Sequence, residues 1–428
     1  MKQFSFRKKF IITIKKLQGF RVTLFAFALL CFAVQASHAA KVFSGFAGFR
    51  SDIFIKDPKY NFRVGLTDFF NAQFTFKENI FLRTAFSLQL ADLAQKNIFF
   101  SGIDAHFFID EVSFVLRSNF EHGKNYFSVF VGNYEASGSD IFLRRYFGIK
   151  PIASKFTDTW TGNANPFTPS TFSIGLSDII QFSNQPLAFA FYASGNANIM
   201  LKAFVLNADF RFAGAYRFFA FDLVAGLNVP IYQKDSVDAK AISYINSLYA
   251  HTALTMLLGN NYSPISNFLQ VGAFDLPLKR DKKDTNKFSL GKNIYILEEL
   301  RSRINAFETA LTFFSLPPFS AKRLLLTNDT LGFNLQFGVT EIQKGLQSFS
   351  IGTNATVSFP EKNFTDLFSA EKAKALFKKL PTFAASQYVK MQTPYGELAT
   401  MLQLNITHLI DKKYAEAFKL NVGWTSKF

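Results

Sequence analysis

The chain has 428 residues and a formal net charge of +16, from 47 Lys and Arg against 31 Asp and Glu, with a single cysteine. The basic residues form no dense cluster, which argues against a nucleic-acid-binding protein. One cysteine excludes an intrachain disulfide and a multi-cysteine zinc site. Phenylalanine is used heavily, at 57 residues, so the fold must place many aromatic rings.

Residues 1–39 have the layout of an export signal peptide. Residues 1–21 carry seven basic residues and no acid, residues 22–34 are apolar, and small residues surround 37–39. A membrane-spanning helix is the alternative, but the apolar run is shorter than the roughly 20 residues that a bilayer core requires. A lipidated start at Cys31 is disfavoured by the bulky Leu30 before it. Cleavage would remove seven basic residues and no acid, leaving a net charge of +9.

The dominant period of the remaining chain is two, which predicts strands with one apolar and one polar face. Residues 331–340 show it most clearly, because Leu331, Phe333 and Leu335 alternate with glycine, asparagine and glutamine. Candidate strands lie near 42–54, 60–76, 81–91, 103–120, 125–133, 171–182, 187–194, 199–212, 214–229, 268–278, 288–299, 305–315, 322–340, 348–359, 397–409 and 414–428.

Two all-β architectures fit this alternation. A secreted β-sandwich has strands of about 5 to 6 residues, whereas a tilted strand that crosses a bilayer needs about 9 to 11. The longer segments, their Phe-rich apolar faces and their Gly, Ser, Asn, Gln and Thr-rich polar faces favour the membrane. We therefore predict a transmembrane antiparallel up-and-down β-barrel over residues 40–428, with about 14 strands (range 12–16) and a short helix in one connection.

The final segment, 414–428, alternates strongly and ends in an aromatic residue. Phe418, Leu420, Val422 and Trp424 share one parity, and Phe428 keeps it. With the signal peptide and strand pattern, this segment resembles bacterial outer-membrane β-barrel proteins, although Ser426 departs from the usual apolar pattern. The resemblance implies that Trp424 and Phe428 belong to an assembly signal. It also implies the outer membrane as location, its lipid, the barrel assembly machinery and periplasmic chaperones as partners, and leaves a homo-oligomer open.

Three segments do not read as simple strands. The long loop 134–171 exceeds an ordinary connection, which is typical of a functional or disordered segment. The connection 360–394 contains an amphipathic pattern at 369–380 that predicts a short helix. It also conflicts with the expected sidedness of long loops, which a missed strand near 383–391 would resolve. Residues 236–258 are ambiguous between a helix and paired strands.

Lone cations on polar strand faces are the candidate pore-lining residues, because a charge facing lipid at mid-depth costs about 2 to 4 kcal/mol. Convergence of several cations would favour anions, whereas pairing with acids such as Asp209, Asp222 and Glu308 would remove that preference. The pore-lining candidates are Arg63, Arg83, Arg117, Arg211, Arg217 and Lys419. The constriction-loop candidates, if the long loop folds inward and is not simply exposed, are Arg144, Arg145, Lys150, Lys155 and Trp160.

No nucleotide-binding loop of the GxxxxGK type and no GxSxG elbow is present, and spacing locates no catalytic set of the kind found in barrel lipases and proteases. Asp104, His106 and Asp110 share a parity, and we interpret them as solvated lumen residues in preference to a metal or acid/base site. The expectation is a protein that is not an enzyme and has no cofactor and no metal. Three functions remain: a passive channel for small hydrophilic solutes, a transporter of hydrophobic molecules similar in plan to fatty-acid channels, and a surface adhesin or structural barrel.

Overall fold

The structure, a computed structural model, is a single β-barrel. It describes residues 42–55, 62–93, 105–135, 138–149, 152–158, 172–198, 203–234, 242–279, 293–316, 329–360, 369–378, 381–414 and 417–428. The predicted signal peptide, residues 1–39, lies outside these ranges and remains a prediction.

Nineteen strand segments and four short helices occur in the described part of the chain. The helices are α1 (Ile141–Phe147), α2 (Lys155–Asp158), α3 (Ala370–Lys378) and α4 (Ile406–Ile410). The first strands are β1 (Val42–Ile55), β2 (Phe62–Lys77), β3 (Ile80–Leu90), β4 (Ala105–Phe120), β5 (Gly123–Gly132), β6 (Ser173–Phe182), β7 (Leu187–Asn198), β8 (Ala203–Tyr216) and β9 (Phe219–Lys234). The others are β10 (Ile242–Tyr244), β11 (Leu248–Leu258), β12 (Ile265–Lys279), β13 (Ile294–Ile304), β14 (Phe307–Ser315), β15 (Asp329–Lys344), β16 (Gln347–Pro360), β17 (Thr382–Thr393), β18 (Gly396–Asn405) and β19 (Phe418–Lys427).

The strands close into an up-and-down antiparallel barrel. Apart from β10, each strand pairs antiparallel with its neighbours along the chain, and β1 pairs with both β2 and β19. β10 and β11 both pair with β9 and occupy one position, so the barrel has 18 strands. The predicted architecture is therefore confirmed, and the predicted number of about 14 strands is wrong.

Two strand positions, β11 and β17, have no candidate segment because their side chains do not alternate in the usual way. In β11, the inward face mixes the apolar Ala253 and Leu257 with the polar His251 and Thr255, so the contrast between the two faces is weak. In β17, small residues such as Ala384 and Ala385 blur the contrast between the faces. β17 lies at the suspected position near 383–391, and it shortens the predicted connection 360–394. The predicted helix at 369–380 is present as α3.

The two ends of the barrel differ in the length of their connections. At the terminal rim, where β1 begins and β19 ends, each connection has two to six residues. At the opposite loop rim, the connections include 133–172 and 361–381. Short turns at one end and long loops at the other are typical of outer-membrane barrels. Among the described helices, none has the length and apolar character needed to cross a membrane.

The two faces of the wall have opposite chemistry. On β15, Phe333, Leu335 and Phe337 are exposed on the outside, whereas Asn334 and Gln336 are buried inside. Ring closure pairs the backbone groups of every strand, which hydrocarbon requires because it offers no hydrogen bonds. An apolar exterior over a fully paired backbone is therefore suited to a bilayer.

Aromatic contacts cover the seam where the ring closes. The backbones of Phe428 and Gly45 exchange two hydrogen bonds of 2.9 and 3.0 Å. The Phe428 ring stacks on Phe43 at a centroid distance of 4.8 Å and on Phe70 at 5.9 Å. The last residue of the sequence thus contacts both of the first two strands, whereas its role as an assembly signal remains a prediction.

We expect Phe428→Ala to destabilise the closed barrel, because it removes two ring contacts worth about 0.5 to 1.5 kcal/mol each. The urea midpoint of unfolding in detergent micelles should fall accordingly. Phe337→Ala is the control, since Phe337 is 49% exposed and Phe428 is 45% exposed. Equal losses in the two variants would show that the seam contacts contribute nothing specific.

Candidate functional site: a loop folded into the barrel

The connection between β5 and β6, residues 133–172 and here called the inserted loop, turns into the barrel. Its described parts are 133–135, 138–149, 152–158 and 172. Phe142 and Leu143 of α1 are fully buried, and Ile152 and Phe156 are nearly so. These side chains share one apolar cluster with inward residues of the wall such as Tyr295. The loop is therefore packed against the interior of the barrel.

Glu135 is the first polar anchor of the inserted loop. Its carboxylate accepts hydrogen bonds from Tyr146 at 2.7 Å, Tyr192 at 2.6 Å and Arg145 at 3.3 Å. Arg83 lies 3.8 Å away from it. The Glu135 side chain is fully buried, so these partners are what makes a charge tolerable there.

Arg145 connects this anchor to β4, where its guanidinium contacts Glu111. Burial alone would lower the pKa of Arg145, but Glu111 and Glu135 outweigh it, so the pKa is raised. Burial, followed by the charge of Glu135, raises the pKa of the Tyr146 hydroxyl well above its usual value. The cluster therefore holds a charged Arg145 together with a neutral Tyr146 hydroxyl that donates to Glu135.

Small inward residues on the wall leave room for α1. Ala188, Ala190 and Ala213 are buried and belong to the same apolar cluster as Phe142. Beside them, Arg211 donates from Nε to Asp222 at 2.7 Å and from Nη1 to the carbonyl of Glu135 at 2.7 Å. The Arg211 guanidinium also lies 4.5 Å from the centre of the Phe142 ring.

Glu299 on β13 is the second anchor. It accepts hydrogen bonds from the Ser154 hydroxyl at 2.7 Å and from the backbone N–H groups of Lys155 at 2.8 Å and Phe156 at 3.2 Å. Arg301 donates to Glu299 at 2.7 Å and to the Ala153 carbonyl at 2.7 Å. One buried carboxylate thus holds the start of α2 against the wall.

The inserted loop extends almost to the terminal rim. Lys155 contacts Glu308 at 2.9 Å, and Glu308 is the second residue of β14 after a terminal-rim turn. Similarly, Gln181 lies one residue before the end of β6 at the same rim. Its side chain donates a hydrogen bond to the Tyr146 carbonyl. The loop therefore spans most of the depth of the lumen, so it is larger than a constriction at one level.

The structure brings some of the predicted cations together and separates others. Arg83, Arg145 and Arg211 meet around Glu135, whereas Lys155 lies at the second anchor. Arg144 pairs with Asp140 of the same loop at 3.0 Å. Among the pore-lining candidates, the pairing alternative thus describes Arg211, which bonds Asp222. Lys155 of the inserted loop bonds Glu308.

The remaining predicted cations lie apart from the loop anchors. Arg63 donates to the Ala91 carbonyl at 2.9 Å, Arg117 lies over the Phe81 ring at 5.5 Å, and Lys419 lies over the Phe54 ring at 5.1 Å. Arg217 belongs to the exposed turn between β8 and β9, so its assignment to the pore wall is corrected. Lys150 and Trp160 lie outside the described residues.

The anchoring carboxylates Glu111, Glu135 and Glu299 were not singled out from the sequence. A signal in the sequence exists for Glu299. Glu299 and Arg301 share the inward parity of Tyr295 and Leu297 on β13. Asp104 lies outside the described residues. Within the described ranges, no group of three His, Cys, Asp or Glu side chains could hold a metal ion.

The closed antiparallel ring, its apolar exterior and its asymmetric rims define the class of bacterial outer-membrane β-barrel proteins that the sequence resembles. No protein-family model matches the chain, and no curated protein matches it. Solved structures that match include a mutant of the Rh. blastica porin, with a TM-score of 0.40, 8% identity and coverage of 90% of this chain and 99% of that chain. The trimer form of OmpT, an outer membrane protein of Vibrio cholerae, matches with a TM-score of 0.34, 8% identity and coverage of 90% and 99%. The assignment to the class rests on the strand pairing of the chain itself.

Proposed function

We propose that this protein is a passive outer-membrane channel for small hydrophilic solutes, with a preference for anions and no catalytic step. The observation that carries the proposal is that the inserted loop bonds to only part of the inner wall. The described hydrogen bonds and ion pairs of the inserted loop end on β3–β8 and β12–β14. None of these described bonds ends on β15–β19, β1 or β2, and we assign the solute path to this side of the lumen.

The anion preference rests on cations of this second wall and its border. Arg63 on β2, Lys390 on β17, Lys419 on β19 and Arg117 on β4 lie on inward parities. The cations around Glu135 and Glu299 are balanced by carboxylates and contribute little net field. Cations that line a narrow passage favour anions over cations.

The transporter alternative is weaker, because the apolar cluster inside the barrel is filled by Phe142, Leu143 and Phe156 of the loop itself. A closed structural barrel is favoured by the depth to which the loop reaches. Planar-bilayer recording distinguishes the closed barrel from the channel. A closed barrel carries no current, whereas the channel gives stepwise conductance that increases with salt concentration.

We expect the double variant Arg63→Glu and Arg117→Glu to shift the reversal potential in a potassium chloride gradient towards cation selectivity, because two lumen charges change sign. Arg217→Glu is the control, since Arg217 lies in an exposed turn and carries the same charge. A reversal potential that is unchanged in the double variant, or shifted equally per charge by Arg217→Glu, would contradict a role of lumen cations in selectivity.

A further inference from the structure

A carboxylate lies on the outer surface of the barrel, near the middle of β13. Glu298 is four residues from Ile294 and six from Ile304, and its side chain is exposed. Its outward neighbours across the sheet are Leu269 on β12 and Phe313 on β14. With about 3.3 Å per residue and a strand tilt of about 40°, Glu298 lies about 15 Å from the terminal turn. The carboxylate therefore faces hydrocarbon, within the apolar band of the wall.

Glu298 has only a weak hydrogen bond within the described part of its own chain. The Asn267 amide donates to it at 3.5 Å, which is longer than an ordinary N–H···O hydrogen bond. Asp178, a second exposed carboxylate near the middle of an outer strand face, instead accepts from Asn125 at 2.6 Å. Ionisable side chains at membrane depth normally have a partner. Glu298 therefore requires a stronger donor from outside its own chain.

A second polar group interrupts the apolar exterior at the same depth, on β17. Gln387 is exposed on the outer face and is six residues from Thr393 at the terminal turn. Thr353 of β16 lies opposite it in the strand register, and Thr400 of β18 lies opposite Val389, two residues further along β17. The amide of Gln387 carries two N–H donors. It therefore supplies the kind of group that Glu298 requires.

We propose that these two surfaces bind each other between neighbouring copies of this chain. The acid face is the outer surface around Glu298 and Asn267, and the amide face is the outer surface around Gln387, Thr353 and Thr400. The Gln387 amide of one copy donates to the Glu298 carboxylate of the next. Hydrogen bonds and close packing associate chains within a bilayer, because lipid tails are as apolar as the protein surface. The proposal concerns the exterior and goes beyond the proposed channel function.

The positions of the two faces determine the kind of assembly. A two-fold dimer through the acid face would place Glu298 against Glu298, and these like charges repel each other. Contact between unlike faces is head-to-tail and closes into a ring if the rotation allows it. β13 and β17 are four positions apart in an 18-strand wall, which corresponds to about 80°. A closed ring requires about 60° between its two contact directions for three copies and about 90° for four, so a small ring fits.

Cysteine cross-linking of the full chain in outer membranes tests the contact directly. Cys31, the single cysteine, is replaced by serine, and chains that carry Glu298→Cys are co-expressed with chains that carry Gln387→Cys. We expect oxidation to give a dimer band that contains both kinds of chain and disappears on reduction. Asp178→Cys combined with Gln387→Cys is the matched control, because Asp178 is an outward carboxylate near the middle of another strand. The control pair should give no dimer.

Mass photometry in mild detergent provides a second measurement. The wild type should form rings of three or four copies. Glu298→Leu should raise the protein concentration needed for half-assembly by about tenfold or more, as loss of a hydrogen bond to a charged group does, and Asp178→Leu should leave it unchanged. Absence of the mixed dimer would overturn the proposal, as would a disulfide that forms between Glu298→Cys chains alone. Equal assembly of the wild type and Glu298→Leu would also overturn it. Neither measurement depends on conductance, so the proposed channel function is tested separately.

Discussion

Glu135→Ala is expected to release the inserted loop and to increase single-channel conductance. The substitution leaves Arg83 and Arg145 without the carboxylate between them, and it removes the acceptor of two buried tyrosine hydroxyls. Breaking a buried ion pair by removing one partner costs about 3 to 5 kcal/mol. The barrel wall should persist, because its strand pairing does not depend on the loop.

Limited trypsin digestion measures this release, since Arg144 and Arg145 lie in α1. The wild type should resist cleavage there, and Glu135→Ala should be cleaved rapidly and should conduct more current. Glu341→Ala is the control, because its ion pair with Arg303 is half exposed and such pairs contribute about 0 to 1 kcal/mol. If α1 remains protected in Glu135→Ala, the packing of Phe142 and Leu143 is sufficient to hold the loop.

The second large effect is expected from Glu299→Ala. This change removes the acceptor of Ser154, Lys155 and Phe156 and leaves the buried Arg301 without its carboxylate. We again expect a loss of about 3 to 5 kcal/mol of local stability. Hydrogen exchange of the backbone amides of α2, measured by mass spectrometry, should become faster.

Glu298→Ala provides a close control for the second anchor. Glu298 is the preceding residue on the same strand and is exposed on the outer face. It should leave the exchange of α2 unchanged. If the loop moves as one unit, the variant lacking both Glu135 and Glu299 should gain more conductance than the sum of the single variants, because contacts within one network are not additive. Additive gains would mean that the two parts of the loop open independently.

The side chains on the inner face of each strand explain where the strand prediction succeeded and where it failed. Each of the 16 candidate segments overlaps an observed strand, because a wall between lipid and polar side chains imposes a period of two. The period weakens where the inner face packs against the loop. Leu257 on β11 faces inward, is apolar and is only 2% exposed, and the sequence of this region does not distinguish a helix from strands.

The candidate site was predictable only in part. Sequence parity placed Arg83, Arg211 and Lys419 on the polar face, and the length of residues 134–171 marked an unusual loop. Neither signal indicates that Glu135 contacts Arg83, 52 residues away, or that Ser154 contacts Glu299, 145 residues away. Such pairs depend on how far the loop descends and on which wall it meets.

The amino-acid sequence by itself determined the all-β class, the lipid-facing parity and the aromatic seam residue Phe428, since each follows from local alternation of apolar and polar side chains. The number of strands and the anchoring of the inserted loop on Glu135 and Glu299 were decided by tertiary structure. The physical reason is that closure of the ring brings residues from distant strands into one register, and the preferences of neighbouring residues along the chain do not encode that register.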